Sequence, residues 1–207
     1  MDENLIREAV VVVIEDDASV HAAVKELIES VGLKVKLYAS AGAFLEAPIP
    51  NTTSCLVLDV RLPEMSGIKL QEKLSRAGVV VPIVFISAYA DVAMAVSAMK
   101  AGAVDFLTKP FRCQDLLDAV FTALERDSAR RKMQQWQLIL REHYESLSAR
   151  ERQVIAMVAA GKLNKQIAAD LRLSEVTVKV HRANAMRKMR ATSLAHLVKI
   201  LEHFDPA

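Results

Sequence analysis

The chain has 207 residues, 52% of them apolar, which is too long for one minimal domain and about right for two at roughly 100–150 residues each. No apolar stretch approaches the ~20 residues of a membrane span, the acidic start lacks the layout of a secretory leader, and Cys55 and Cys113 sit outside any metal or redox spacing, so a soluble, cytoplasmic protein with reduced, partly buried thiols and no membrane partner is expected. The net charge of +2 hides an asymmetry: residues 1–126 carry 12 basic against 17 acidic side chains, residues 127–146 carry 4 against 3, and residues 147–207 carry 11 against 5, so the two ends suit different partners and the basic end suits a polyanion.

Val10–Ile14 is an unbroken β-branched run, as expected of a strand buried on both faces. Ala18–Ser30 reads as a helix with Val20, Val24, Leu27, Ile28 and Val31 on one side and Gly32 as its stop. Val35–Tyr38 is a second strand, and Ser40 caps a short helix through Phe44 and Leu45 that Pro48 and Pro50 end. Cys55–Asp59 is a third strand, Ser66–Arg76 a helix, Ile83–Ser87 a fourth strand, Asp91–Lys100 a helix closed by Gly102, and Val104–Leu107 a fifth strand before Lys109 and Pro110. A further helix starts near Arg112. Strand and helix alternate five times, the pattern of a doubly wound α/β domain with a five-stranded parallel sheet and right-handed crossovers.

No strand signal returns after about Leu124, and neither Gly nor Pro occurs between Phe111 and Gly161. Residues 127–145 read as a helical linker with Met133, Trp136 and Leu140 at helical spacing, or as a flexible one. Residues 146–207 read as a small all-α, four-helix domain. Its first helix opens with the capping box Ser148-Ala-Arg-Glu151. The second spans Asn164–Leu171, the third is capped by Ser174 and runs Glu175–Met189, and the fourth is capped by Thr192 or Ser193 and ends near His203.

In an open parallel sheet, ligands bind beyond the carboxyl ends of the strands. Glu15 and Asp16 end the first strand, Asp59 the third and Ser87 the fourth, and Lys109 follows the fifth. One acid in such a place reads as a loop cap, but five polar groups at the expected ends read as a site. Clustered carboxylates repel unless a cation lies among them, and all-oxygen ligands suit Mg²⁺. A carboxylate so placed can attack phosphorus, and a lysine can stabilise the charge on a transferred phosphoryl group.

These residues carry a resemblance. Glu15-Asp16-Asp17, Leu58-Asp59-Val60-Arg61-Leu62-Pro63, Gly67, Ser87-Ala88 and Lys109-Pro110-Phe111 resemble the motifs of the receiver domains of two-component systems, over about residues 8–126. The resemblance implies a flavodoxin- or CheY-like fold with Asp59 as phosphoacceptor. It implies Mg²⁺ held by Asp16, Asp59 and the Arg61 backbone carbonyl, with Glu15 acting through water. It further implies that Lys109 contacts the phosphoryl group and that Ser87 and Phe106 form the switch pair. Glu15 stands where Asp is commoner and Ser87 where Thr is commoner, while Phe106 has no hydroxyl and is open to a plain core role.

In the basic end, Asn164-Lys-Gln-Ile-Ala-Ala-Asp-Leu171 and Ser174-Glu-Val-Thr-Val-Lys-Val-His-Arg182 read as helix-turn-helix, the first helix packing through Ile167, Ala168 and Leu171 and the second free to enter a major groove. With Leu147–Val154, this end is similar to the LuxR/NarL class of DNA-binding domains, over about residues 146–202, and the whole to the FixJ-like subfamily. By that resemblance Lys179, Val180 and Ala183 face bases, while Asn164, Lys165, Thr177, His181 and Arg182 mainly contact the backbone. Leu194, Leu197, Val198 and Leu201 either dimerise, as in that class, or pack within the domain.

The implied function is a transcription regulator that accepts phosphate on Asp59 from a sensor histidine kinase. A face of about residues 91–122 then promotes a homodimer or releases the DNA-binding domain, and the dimer binds double-stranded promoter DNA and works with RNA polymerase. Self-dephosphorylation is expected to be slow, and the protein is not expected to be an enzyme. The alternative is a phosphorylation-independent DNA binder whose receiver is a dimerisation scaffold. Aspartate-nucleophile phosphatases also use a strand-terminal Asp and a Lys, but they need a second acid where Arg61 stands.

Overall fold

The computed structural model describes residues 8–89 and 91–202, which fall into two compact units, Met1–Arg131 and Lys132–Ala207. In the first, β1 (Val10–Ile14), β2 (Lys34–Tyr38), β3 (Ser54–Asp59), β4 (Ile83–Ser87) and β5 (Asp105–Thr108) form one parallel sheet in the order β2-β1-β3-β4-β5. The helices α1 (Ala18–Ser30), α2 (Ala41–Glu46), α3 (Gly67–Arg76) and α4 (Val92–Lys100) connect the strands, and α5 (Cys113–Glu145) follows β5.

The unbroken apolar runs are explained by burial on both faces. Val11, Val13, Cys55, Val57, Val84 and Ile86 pack on one side with Val24 and Ile28 of α1 and Leu116, Val120 and Leu124 of α5. Val12, Ile14, Leu56, Leu58 and Phe85 pack on the other with Phe44 of α2, Leu70 and Leu74 of α3 and Ala98 of α4. Alternating side chains of one strand thus feed two cores. Strand β2 is an edge, where the exposed Lys34 and Lys36 blunt further pairing.

Strand bounds and thiol burial differ from the sequence reading: β2 and β3 each begin one residue earlier, at Lys34 and Ser54. The fifth strand runs one residue further along, because its ladder with β4 begins at Asp105 and extends to Thr108. The two thiols are not alike: Cys55 is fully buried within β3, and Cys113 is exposed in the first turn of α5. The first unit continues to Arg131 because the buried Asp127 carboxylate accepts the Ser54 N–H at 3.0 Å and pairs with Arg130 and Arg131, while Arg131 Nη2 donates to the Pro50 carbonyl at 3.1 Å.

In the second unit, α6 (Ala149–Ala159), α7 (Asn164–Leu171), α8 (Glu175–Lys188) and α9 (Leu194–Glu202) close around Leu140, Val154, Ile155, Val158, Ile167, Val178, Ala185, Met189, Leu197 and Ile200. The capping box is formed: Ser148 Oγ accepts the Glu151 N–H at 3.2 Å, and Glu151 Oε2 accepts the Ser148 N–H at 2.8 Å. Lys188 Nζ donates to the same Oε2 at 2.7 Å and ties the end of α8 to the start of α6. Helix α8 stops one residue short of the expected Met189, whose N–H closes it on the Ala185 carbonyl. Ser193, not Thr192, caps α9 by accepting the His196 N–H at 3.0 Å; the expected end near His203 lies outside the described residues. Leu197 is fully buried and Leu201 packs on the same core, whereas Leu194 is exposed.

Candidate functional site

The order β2-β1-β3-β4-β5 reverses direction between β1 and β3, and in such sheets the crevice at that reversal binds the ligand. Glu15 and Asp16 follow β1, and Asp59 ends β3. One carboxylate oxygen from each of the three lies within 4.8 Å of the others, with Glu15 and Asp59 buried and Asp16 exposed. Lys109, one residue beyond β5, reaches across the rim and donates to Glu15 Oε2 and Asp59 Oδ2, both at 2.6 Å. The other Asp59 oxygen, Oδ1, accepts the Arg61 N–H at 2.8 Å. Asp59 is therefore held by both oxygens, one on a backbone donor and one on an ammonium.

The electrostatics follow from this geometry. Burial pushes the Glu15 carboxyl above its ordinary value; the Lys109 hydrogen bond pulls it back, and the charge of Asp59 adds to the upward push. Burial alone would lower the Lys109 ammonium, but its hydrogen bonds to Asp59 and Glu15 outweigh that and hold it above the usual lysine range. Lys109 is thus a fixed cation at the rim, and the acids form a cluster able to hold Mg²⁺.

Two supporting features are local. Asp17 caps α1: its Oδ1 accepts the Ser19 N–H at 2.8 Å and the Val20 N–H at 3.3 Å, which fixes the turn carrying Glu15 and Asp16. Its N-cap role was findable from Asp standing just before a helical pattern. Gly67 donates its N–H to the Val60 carbonyl at 2.9 Å. A Cβ there would collide with the Asp59 carbonyl oxygen and sit 3.0 Å from Leu58 Cγ, so only glycine lets α3 begin this close to the acid.

The side chains of the expected switch residues take no part in these ion pairs, although the Ser87 carbonyl accepts the Lys109 N–H at 2.8 Å. Ser87 is fully buried, and its hydroxyl donates to the Tyr89 carbonyl at 3.0 Å and accepts the Tyr89 N–H at 3.3 Å. Phe106 is half-buried against Phe85, with ring centroids 6.0 Å apart. The Arg61 guanidinium lies 4.4 Å from the centroid of the Tyr89 ring, a stacking contact between two loops that no local pattern signals.

In the second unit, Arg172 takes the left-handed conformation with φ 53° at the turn after α7, and Ser174 Oγ accepts the Thr177 N–H at 3.0 Å to start α8. Val178, Ala185 and Met189 are buried, while Lys179, Val180 and Ala183 are exposed. Arg182 Nη1 donates to Asn164 Oδ1 at 3.2 Å, joining the middle of α8 to the start of α7. Lys165 is exposed on α7, and Thr177 and His181 flank the outward face of α8. All eight expected DNA-contact residues lie on α7 and α8.

Comparison with known proteins decides the family. The profile of the response regulator receiver domain matches residues 11–121, and that of bacterial regulatory proteins of the luxR family matches residues 145–201. Nodulation protein W of Bradyrhizobium diazoefficiens is 50% identical over 195 residues, covering 94% of this chain and 86% of that protein. The chain belongs to the response regulators. The solved structure of the response regulator StyR is similar with a TM-score of 0.87 at 46% identity, over 95% of this chain and 100% of that one. Full-length FixJ from B. japonicum is similar with a TM-score of 0.58 at 38% identity, over 94% and 96%.

This response regulator is a phosphorylation-activated transcription regulator of a two-component system, with a receiver domain and a LuxR-type DNA-binding domain. A sensor kinase and DNA are the partners that these two domains imply. It is a transcription factor rather than an enzyme. Among the described residues, no helix is long and apolar enough to cross a membrane.

Proposed function

We propose that Asp59 is the phosphoacceptor of a cytoplasmic regulator whose receiver is residues 1–126, whose helical linker is residues 127–145 and whose DNA-binding domain is residues 146–207. The reading rests on one observation: Lys109 bridges Asp59 and Glu15 inside a three-carboxylate cluster at the sheet reversal. The all-oxygen donor set fits Mg²⁺, with Asp16, Asp59 and the Arg61 backbone carbonyl as direct ligands and Glu15 acting through water. When bound, the cation would neutralise the acids and draw charge from the transferred phosphoryl group.

An Asp59 carboxylate oxygen attacks the phosphorus of a phosphohistidine on the sensor histidine kinase. The P–N bond breaks, its electron pair stays on the imidazole, and an acyl phosphate forms. Lys109 exchanges a carboxylate partner for a phosphoryl oxygen. Ser87 gives up the Tyr89 backbone for the phosphoryl group, and Phe106 follows it inward. The face built by α4, β5 and the start of α5 then favours a homodimer. That dimer sets two copies of α8 on half-sites about one helical turn apart and activates RNA polymerase at the promoter. Self-hydrolysis of the acyl phosphate is slow.

Size-exclusion chromatography with light scattering tests this, on wild type and Asp59→Ala, with and without Mg²⁺ and beryllofluoride. A monomer-to-dimer shift in wild type alone is the expected result. No shift in either protein, with unchanged promoter binding, overturns the reading in favour of a receiver that serves as a scaffold.

A further inference from the structure

Helix α8 has a face that its core does not use. At about 100° per residue, Val178, Ala185 and the closing Met189 form its buried line. The line directly opposite holds Val176, Val180, Ala183 and Arg187, at i, i+4, i+7 and i+11. Val176 is 70% exposed and Val180 53% exposed. Two β-branched side chains thus stand outward, one helical turn apart, in a helix whose remaining outward positions include Lys179 and Arg187. An apolar pair this exposed has no role in the fold.

Resting on the reading that α8 enters the major groove, we propose that Val176 is a further sequence-reading residue, whose methyl groups pack on the C5-methyl of a thymine about two base-pair steps from the one read by Val180. The occupant is duplex DNA, because the strip runs beside Lys179, ends on Arg187 and belongs to a segment with 11 basic against 5 acidic side chains. In that groove the one apolar group a base presents is the thymine methyl. Val176 and Val180 are separated by about 6 Å along the axis of α8, or roughly two base-pair steps, so they meet different bases. Val176 also stands in the first turn of α8, where a recognition helix makes its base contacts. Arg187 lies on the same line three turns on, where the helix leaves the groove floor for the backbone.

The test uses the full-length chain activated with Mg²⁺ and beryllofluoride. Duplexes are selected from a random library, and each thymine of the best one is replaced singly by deoxyuridine, which removes only the methyl. Affinities are read by fluorescence anisotropy at one salt concentration. At one thymine per half-site the replacement should weaken wild type about fourfold, the worth of one buried methyl group. Val176→Ala should bind the thymine and uracil duplexes equally there, while keeping its response at the thymine read by Val180. A Val176→Ala protein with every methyl response of wild type overturns the proposal, as does a wild type with no response beyond those lost in Val180→Ala. If no duplex is enriched, or Lys179→Ala binds the selected duplex like wild type, the groove reading itself has failed. The exposure of Val176 leaves the fold outside the test, and matching melting curves check this.

Discussion

The rim of the receiver and the outward face of α8 solve opposite problems. At the rim the buried charges have partners inside the molecule: Lys109 spans Glu15 and Asp59, and Asp59 also takes the Arg61 N–H. On α8 the outward Lys179 and Arg187 are exposed beside bare valines. A centre that must present one nucleophilic oxygen in one orientation needs buried, cross-braced groups. A surface that must fit a long polyanion needs charge and shape turned outward. Substitutions at the rim should therefore act on orientation and nearly all at once, whereas those on α8 should act in graded steps.

The sharpest way to break the comparison is to remove the nucleophile. Asp59→Ala should lose all phosphoryl uptake from a small-molecule donor such as acetyl phosphate, read by intact-protein mass spectrometry. Residual uptake at the wild-type rate would place the acceptor elsewhere. Next in size is Gly67→Ala. Its new Cβ meets backbone rather than a movable side-chain end, so the receiver should lose about 3 kcal/mol of stability, with slowed uptake at Asp59. A melting temperature equal to wild type would mean that α3 can retreat from Asp59 without cost.

How much of this was readable from sequence depends on the range of the signal. Ser40, Ser66, Ser148 and Ser174 announce helix starts because a cap is a contact over two or three residues. The acids and Lys109 were legible because strand ends are legible, and a parallel sheet collects its strand ends at one rim. What stayed hidden is long-range. Asp127 reads as a solvated linker acid, yet it is buried and holds the Ser54 N–H at the opposite end of the strand that carries Asp59. Arg61 and Tyr89 belong to different loops, and nothing in either stretch signals their stacking. Leu197 fits a dimer stripe as well as a core stripe by periodicity, and only packing shows that it is buried within its own unit.

On the DNA side the expected effects are smaller. Lys165→Ala, at a position read as facing the DNA backbone, should weaken promoter binding roughly tenfold and reduce the slope of log affinity against log salt by about one, because its ammonium displaces a counterion. Titrations at several salt concentrations separate this from a loss of fold, which would erase binding at every concentration. An unchanged slope with weaker binding would mean that Lys165 does not meet a phosphate.

The smallest expected effect concerns the brace beneath α8. Glu151 is buried and lies below its ordinary pKa of 4.5, chiefly because Lys188 donates to it, with burial opposing and the Ser148 N–H assisting. The folded carboxyl therefore releases its proton at lower pH than the unfolded one. Its stabilisation is complete above the unfolded value and is lost as pH falls through the folded one. Glu151→Gln keeps an amide oxygen for the Ser148 N–H and removes only the charge that faces Lys188. At pH 7 the variant should be less stable by about 1 kcal/mol. Thermal melts of both proteins between pH 7 and 3 should show that gap closing below about 4.5, as wild type loses the same charge. A gap constant with pH would make the brace a matter of packing, and α8 would then be held on α6 by its buried line alone.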